Sequence, residues 1–313
     1  MGERAIVEWT SPGDGLDGVV PPAPLAAARA SWTRDAVERL GVLAVQADYN
    51  ERIDSLRRGT NEFGVDPFGV SPEFVRVVGL VAGWLFRSYF RVRATGVENI
   101  PEGRVMIISN HSGQIPFDGA MIASAMLLEG EPPRLLRTMV ERWSPTIPYV
   151  SIMFSRTGQV VGHPENAVRL LEAEHSLLVF PEGAPGSNKM FSKAYQLQEF
   201  GLGFMRLALQ TGTPIVPVSV VGAEEQYPAI YNARKLARLI GAPAFPVTPF
   251  MVLPLVGLLP LPTKYRISFG EPMVFDGDPD DDDEVIGEKV WLVRSTIQNM
   301  INRGLREREH VFW

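Results

Sequence analysis

The feature that most restricts the fold of this 313-residue chain is the stretch at 104–119, RVMIISNHSGQIPFDG. Val105–Ser109 is a run of apolar, partly β-branched residues too short for a helix. Pro101-Glu102-Gly103 precede it, and Asn110-His111 with a Gly-containing loop come after it. Such a run reads as a buried strand. From Gly119 the pattern becomes helical through AMIASAMLL. A buried strand that feeds a helix belongs to layered α/β folds, and such folds place chemistry where strands end. His111 stands at that end, one of only four histidines, with Asp118 the nearest acid downstream.

The rest of the chain continues the alternation. FRVRATGVENI (90–100), Arg134–Val140, Ser176–Phe180, Pro214–Val221 and Tyr265–Phe269 read as strands, the last extended by Pro272–Phe275. Helical spacing is expected over 119–129, Pro164–Glu174, Leu197–Gln210 and Val285–Arg306, with Pro145–Met153 a loop or short helix. The predicted fold class is α/β, a mixed, largely parallel sheet flanked by helices. Three regions are expected: a flexible Gly/Pro/Ala-rich N-terminal arm at 1–30, a helical N-terminal region at 31–89, and one α/β domain at 90–313 that includes the C-terminal helix. In the helical region, Ser31–Arg58 forms one helix. Asn61–Ser71 is a connector, and Pro72 starts an apolar helix to Tyr89.

Composition removes several function classes. A net charge of −6 argues against nucleic acid as partner. The absence of cysteine removes disulfides, thiolate nucleophiles and cysteine-ligated zinc, and is compatible with a reducing compartment. The first residues carry neither a basic nor an apolar signal segment, so a cytoplasmic chain is expected. Two apolar stretches, Val77–Phe90 and Ala244–Leu261, suggest peripheral or monotopic contact with the cytoplasmic membrane face. The first is too short to span, and four prolines interrupt the second. No metal site is expected. His163 and His175 have no companions at ligand spacing and read as surface histidines. Asp280–Glu284 is explained by the dipole of the helix after it.

Four clusters fall at or beside predicted strand ends: Asn110-His111 with Asp118, Phe154-Ser155-Arg156, Phe180-Pro181-Glu182-Gly183, and Ile215-Val216-Pro217-Val218. In order and spacing they resemble the four blocks of the glycerolipid acyltransferases, the lysophosphatidic acid acyltransferase-like enzymes, over roughly residues 90–275. The first block of that family usually spaces histidine and aspartate by four residues, and here six intervene. The family's Thr-Arg-Ser after the third block is replaced by Ala184-Pro185-Gly186-Ser187-Asn188-Lys189.

The resemblance implies O-acyl transfer from acyl-CoA or acyl carrier protein, as co-substrate, to the hydroxyl of a lysophospholipid acceptor, with no other cofactor. His111 would be the base and Asp118 its orienter. Arg156 would hold an acceptor phosphate, Glu182 would contact or shape the acceptor site, and Gly183 would allow close backbone approach. Lys189 or Lys193 would stand in for the missing arginine. The chemistry is consistent with this, because imidazole titrates near neutral pH and a carboxylate on its other nitrogen fixes the tautomer. Without a cysteine or a Gly-x-Ser-x-Gly elbow, direct attack by the acceptor hydroxyl is simpler than a covalent acyl-enzyme. Two alternatives stay open: a neutral acceptor such as diacylglycerol or a long-chain alcohol, and a catalytically silent lipid-binding protein.

Overall fold

A computed structural model describes residues 47–56, 60–112, 115–140, 149–233, 246–252 and 259–313. The proposed arm at 1–30 and most of the helix expected at 31–58 lie outside the described residues.

Among the described residues, two helices precede the sheet, α1 (Ala47–Ser55) and α2 (Pro72–Trp84). Ser71 caps α2 through its hydroxyl, which accepts from Phe74 N, and Pro72 fills the first turn, where no N–H is needed. A π-helical turn, Leu85–Tyr89, ends it. Next come β1 (Arg93–Thr95), β2 (Val105–Ser109), α3 (Phe117–Leu128), β3 (Leu136–Val140), α4 (Val150–Thr157), β4 (Gln159–Val161), α5 (Pro164–Glu172) and β5 (Ser176–Val179). The chain continues with α6 (Gly183–Ser187), α7 (Gly203–Thr211), β6 (Ile215–Val221), a small antiparallel pair of β7 (Tyr231–Asn232) and β8 (Pro246–Val247), then β9 (Arg266–Phe269) and α8 (Asp283–Glu307).

Seven strands form one sheet in the order β1-β9-β6-β2-β5-β3-β4. The strands from β6 to β4 run parallel, and β9 is antiparallel to β6 and parallel to β1. The sheet is therefore mixed and largely parallel. Strand β2 is central, and all five of its residues are fully buried. Its side chains alternate between two cores, as a period of two requires. Val105 and Ile107 pack with α2 and α3 on one face. Met106 and Ile108 pack with α5, α7 and α8 on the other. Each such apolar side chain contributes about 1.5–3 kcal/mol by leaving water.

Pro217 sits in β6, where a ladder N–H would normally be needed. Its carbonyl accepts from Gly270 N just past the end of β9, whose pairing covers only Val218–Val221. The missing N–H therefore falls in the gap between that pairing and the antiparallel bridge that Ile215 makes with Met273.

The structure corrects three expectations. Phe154-Ser155-Arg156 lies on helix α4 and not at a strand end. The helix expected from Leu197 begins at Gly203, because the Leu197 and Gln198 amides donate to the side chains of Gln298 and Glu182 instead of to a helical turn. Strand β4 has no counterpart in the sequence reading. It is three half-buried residues, too few for a periodicity.

Candidate active site

Strands β2 and β5 are neighbours in register, with Ile108 opposite Val179. The segments that leave their carboxyl ends, Asn110-His111 and Phe180-Pro181-Glu182, therefore emerge side by side. Asn110 is buried and extends the β2–β6 pairing through its side chain. It donates to Val220 O at 3.0 Å and accepts from Val220 N at 2.8 Å. This fixes the backbone from which His111 departs.

The six-residue interval does not keep the histidine from its acid. His111 Nδ1 lies 2.7 Å from Asp118 Oδ2. Asp118 belongs to the first turn of α3 and is completely buried. The same Oδ2 accepts from Ser112 N at 2.9 Å, and Oδ1 accepts from Gly119 N at 2.8 Å. Both oxygens are thus engaged by donors. The carboxylate is held so that Nδ1 carries the ring proton and Nε2 is the free basic atom. The His111 side chain retains 15% exposure. Burial pulls its pKa down, but the charge and hydrogen bond of Asp118, with the charge of Glu182, outweigh this. The result is a pKa above the ordinary 6.5, with Lys189 opposing the rise.

Glu182 does not present its carboxylate to solvent. Its side chain has no exposure, and it accepts from His111 N at 3.0 Å, Gln198 N at 2.7 Å and Lys189 Nζ at 3.3 Å. Its place is behind the histidine, as a grip on the His111 backbone. The expectation that it contacts an acceptor gives way to the alternative that it shapes the site. Lys189 is corrected more sharply. Its ammonium points inward, 2% exposed, and also pairs with Glu224 Oε1 at 2.9 Å. A cation held between two buried carboxylates is not placed to receive a substrate phosphate. Lys193 is exposed.

The close approach expected at Gly183 falls instead to Gly186. Gly183 has a φ of +56°, but a Cβ there would meet only Pro185 Cδ at 3.9 Å. Its requirement is conformational. Close approach belongs to Gly186, where a Cβ would lie 2.6 Å from Glu182 Cβ and 3.2 Å from His111 Cβ.

Phe180 lies flat on the imidazole, ring centroids 4.2 Å apart and 20° from parallel. It also lines an apolar groove of about 370 Å³ that runs between α2, α3 and α4, with Val78, Val81, Phe117, Leu127, Leu136 and Phe154 among its walls. Arg156 is on the last turn of α4, whose Met153, Phe154 and Thr157 line that groove. Its guanidinium has no hydrogen bond or ion pair among the described residues.

Of the histidines read as surface residues, His163 is exposed and caps α5 by accepting from Glu165 N. His175 is half-buried, edge-on to Phe68. Burial and the adjacent Arg137 lower its pKa to about 4. Sequence reasoning misses Asn110 as a strut, Gln198 and Glu224. Asn110 stands out in the sequence as the residue before His111, with nothing to show that its side chain pairs with β6, and no local pattern distinguishes Gln198 or Glu224.

A family model described as Acyltransferase matches residues 91–221, which hold every residue of this site from Asn110 to Lys189. Uncharacterized proteins of Mycobacterium tuberculosis and Mycobacterium leprae are 40% identical over 264 residues, covering 82% of this chain and 74% and 72% of theirs. The chain belongs to the glycerolipid acyltransferase family. A protein of Mycoplasma pneumoniae described as a probable 1-acyl-sn-glycerol-3-phosphate acyltransferase is 28% identical over 167 residues, 50% of this chain and 60% of that one. Among solved structures, the 1-acyl-sn-glycerophosphate acyltransferase PlsC from Thermotoga maritima superposes with a TM-score of 0.50 at 16% identity. The match covers 91% of this chain and 99% of PlsC, a likeness of fold. Within this acyltransferase, the matched segment runs from β1 to β6 and so contains the strand ends that carry His111 and Glu182.

Proposed function

We propose that this acyltransferase moves a fatty acyl group from a thioester donor, acyl-CoA or acyl carrier protein, to the hydroxyl of a lysophospholipid acceptor. The observation that carries the reading is the His111–Asp118 pair at 2.7 Å beside an apolar groove that ends on Phe180. His111 Nε2 takes the acceptor's hydroxyl proton as its oxygen attacks the thioester carbonyl. Asp118 stabilises the imidazolium that forms. Collapse of the tetrahedral intermediate breaks the carbon–sulfur bond, and the imidazolium returns its proton to the departing thiolate. The groove suits the acyl chain. Arg156, on α4 and with no hydrogen bond or ion pair at its guanidinium among the described residues, is the residue suited to an acceptor phosphate, since its planar fork matches phosphate geometry.

The groove also supports attachment to a bilayer surface. No helix among the described residues is long and apolar enough to cross a membrane. Yet Val81 and Trp84 on α2, Ile115, and Ile152 and Met153 on α4 are exposed apolar side chains, three of which line the groove. A monotopic enzyme at the cytoplasmic face, drawing lipid through this rim, is the corresponding localisation. Part of the second apolar stretch, 253–258, lies outside the described residues.

A second reading, acylation of a neutral acceptor such as diacylglycerol, is favoured by the inward turn of Lys189. The test is incubation of purified protein with a labelled acyl thioester of CoA or of acyl carrier protein and either lysophosphatidic acid or diacylglycerol, with products identified by mass. Phosphatidic acid as product supports the first reading, and triacylglycerol alone supports the second. No transfer from acyl-CoA or acyl carrier protein to either acceptor would sink both.

A further inference from the structure

Lys189 is buried at a position where stability alone does not call for a cation. Its side chain is 2% exposed, and the ammonium lies 3.3 Å from Glu182 Oε2 and 2.9 Å from Glu224 Oε1. Desolvating three charged groups is expensive, and apolar side chains of similar volume often serve stability as well or better. The arrangement does have a mechanical reason. Glu182 must accept from His111 N at 3.0 Å and Gln198 N at 2.7 Å, and an ionised carboxylate accepts such bonds best. That ionised group stands directly behind the imidazole.

The charged groups that face His111 come from three elements. Asp118 approaches from α3, Glu182 from the turn between β5 and α6, and Lys189 from the segment after α6. Phe180 supplies a neutral face. Glu224 stands behind Lys189, just beyond β6. Burial raises its pKa above the ordinary carboxylate value, Lys189 opposes this, and Glu182 adds to it. Two anions thus favour imidazolium and one cation disfavours it. An imidazole held permanently protonated between two carboxylates is no base.

We propose that Lys189 is a positioning residue for the reaction: held between Glu182 and Glu224, it neutralises the carboxylate that grips the His111 backbone and keeps the imidazole free to give up its proton. The kinetic side of this inference rests on the acyl-transfer reading, whereas its electrostatic side does not. Glu182 then serves as anchor without becoming a second counter-ion, and the lysine takes no part in substrate binding.

Three full-length variants test it: Lys189→Met, the double variant Lys189→Met/Glu224→Leu, and Lys189→Arg. The double variant removes the carboxylate that the single change leaves unpaired, so it keeps the test open if Lys189→Met does not fold. The first readout is the titration midpoint of His111 followed by NMR, assigned by the signal lost in His111→Gln. Loss of a cation at this range should raise that midpoint by about one unit. The second readout is the acid limb of kcat/KM against pH. It should move up by the same interval, so that activity at pH values below the midpoint falls up to about tenfold while the alkaline plateau changes much less. Lys189→Arg should keep the limb at its wild-type position even where the plateau falls. A His111 midpoint unchanged in both charge-removing variants, or a uniform loss of activity with no displacement of the limb, would overturn the proposal. If wild-type protein transfers no acyl group, the acyl-transfer reading fails, and the NMR midpoint still decides the role of Lys189.

Discussion

Replacing Asp118 by asparagine turns one carboxylate oxygen into an NH2 group at a site where both oxygens already accept hydrogen bonds. Oδ2 accepts two hydrogen bonds, from His111 Nδ1 at 2.7 Å and Ser112 N at 2.9 Å, and Oδ1 accepts one from Gly119 N at 2.8 Å. An amide has one accepting oxygen. With that oxygen in the Oδ2 position, the NH2 group confronts the Gly119 N–H, and the negative charge that stabilises imidazolium is gone. With the amide flipped, NH2 confronts the Ser112 N–H and donates to Nδ1. The ring proton then moves to Nε2, where no base remains. Either orientation leaves a buried donor unsatisfied in a residue with no exposure, a stability loss of about 1–3 kcal/mol. In serine hydrolases the corresponding change lowers kcat by roughly 10⁴, or about 5 kcal/mol of barrier. For Asp118→Asn we expect a loss of about 10³–10⁴ in kcat/KM, measured with the donor and acceptor that wild type uses. Burial, freed of its main opponent, should also pull the His111 midpoint down. Circular dichroism and a melting curve establish that the variant is folded, and ¹⁵N shifts of His111 report the tautomer. A folded variant within tenfold of wild type would refute the assignment of Asp118 as orienter.

The wild-type acid limb of kcat/KM should lie above pH 6.5, because His111 has a raised pKa and must be neutral to act; a limb at or below 6 would contradict this. His175 works through stability. Its folded pKa of about 4 lies below its unfolded value, so the unfolded chain binds more protons between about pH 6.5 and 4 and stability falls as pH drops through that window. A gap of roughly 2.5 units caps the effect near 3 kcal/mol, and partial exposure reduces it to about 1–2 kcal/mol; urea melts of wild type and His175→Gln should differ in slope over that range. Gly186→Ala should cost about 1–3 kcal/mol and displace His111, since the new Cβ falls 2.6 Å from Glu182 Cβ. Gly183→Ala makes only an ordinary contact with Pro185 and should cost only the roughly 1–2 kcal/mol of a left-handed backbone, with activity retained. Val81→Ser/Trp84→Ser should reduce co-sedimentation with anionic liposomes without lowering the melting temperature, because both side chains are exposed.

The long-range order of this fold is legible in the sequence because its signals are local. Val105–Ser109 is one uninterrupted apolar run, and it is the central strand. Ser71-Pro72 marks the start of α2, and the acidic Asp282–Glu284 marks the start of α8. The His111–Asp118 pairing is legible as chemistry but not as geometry, since spacing along the chain cannot show how a loop returns. Glu182 and Lys189 are identifiable as site residues, yet not the direction in which their charges point. Whether a charged side chain turns out or in depends on partners distant in sequence, and Glu224 is 35 residues beyond Lys189. Strand β4 and the extent of helix α4 escape for another reason. Each is short and only partly buried, so neither bears the apolar periodicity that burial imposes.

Asp118 could be read from sequence as a helix-capping acid or as the partner of a histidine, and the structure removes the need to choose. One oxygen serves the first turn of α3 through Gly119 N, while the other joins Ser112 N to the imidazole. The carboxylate thereby ties the start of a helix to the end of the central strand, and the histidine is held by the joint between them. Glu182 ties the same histidine from behind, through its backbone, to the neighbouring strand. The Ala-Pro-Gly-Ser-Asn-Lys segment belongs to that second tie: Gly186 lets α6 press against His111 Cβ, and Lys189 closes the charge behind it. A segment committed to holding the base is not available to select the acceptor. Under the proposed function that selection passes to α4, where the Arg156 guanidinium has no hydrogen bond or ion pair among the described residues. Replacing Arg156 should therefore change the preference between phosphate-bearing and neutral acceptors, whereas replacing Lys189 should change the pH at which either is used.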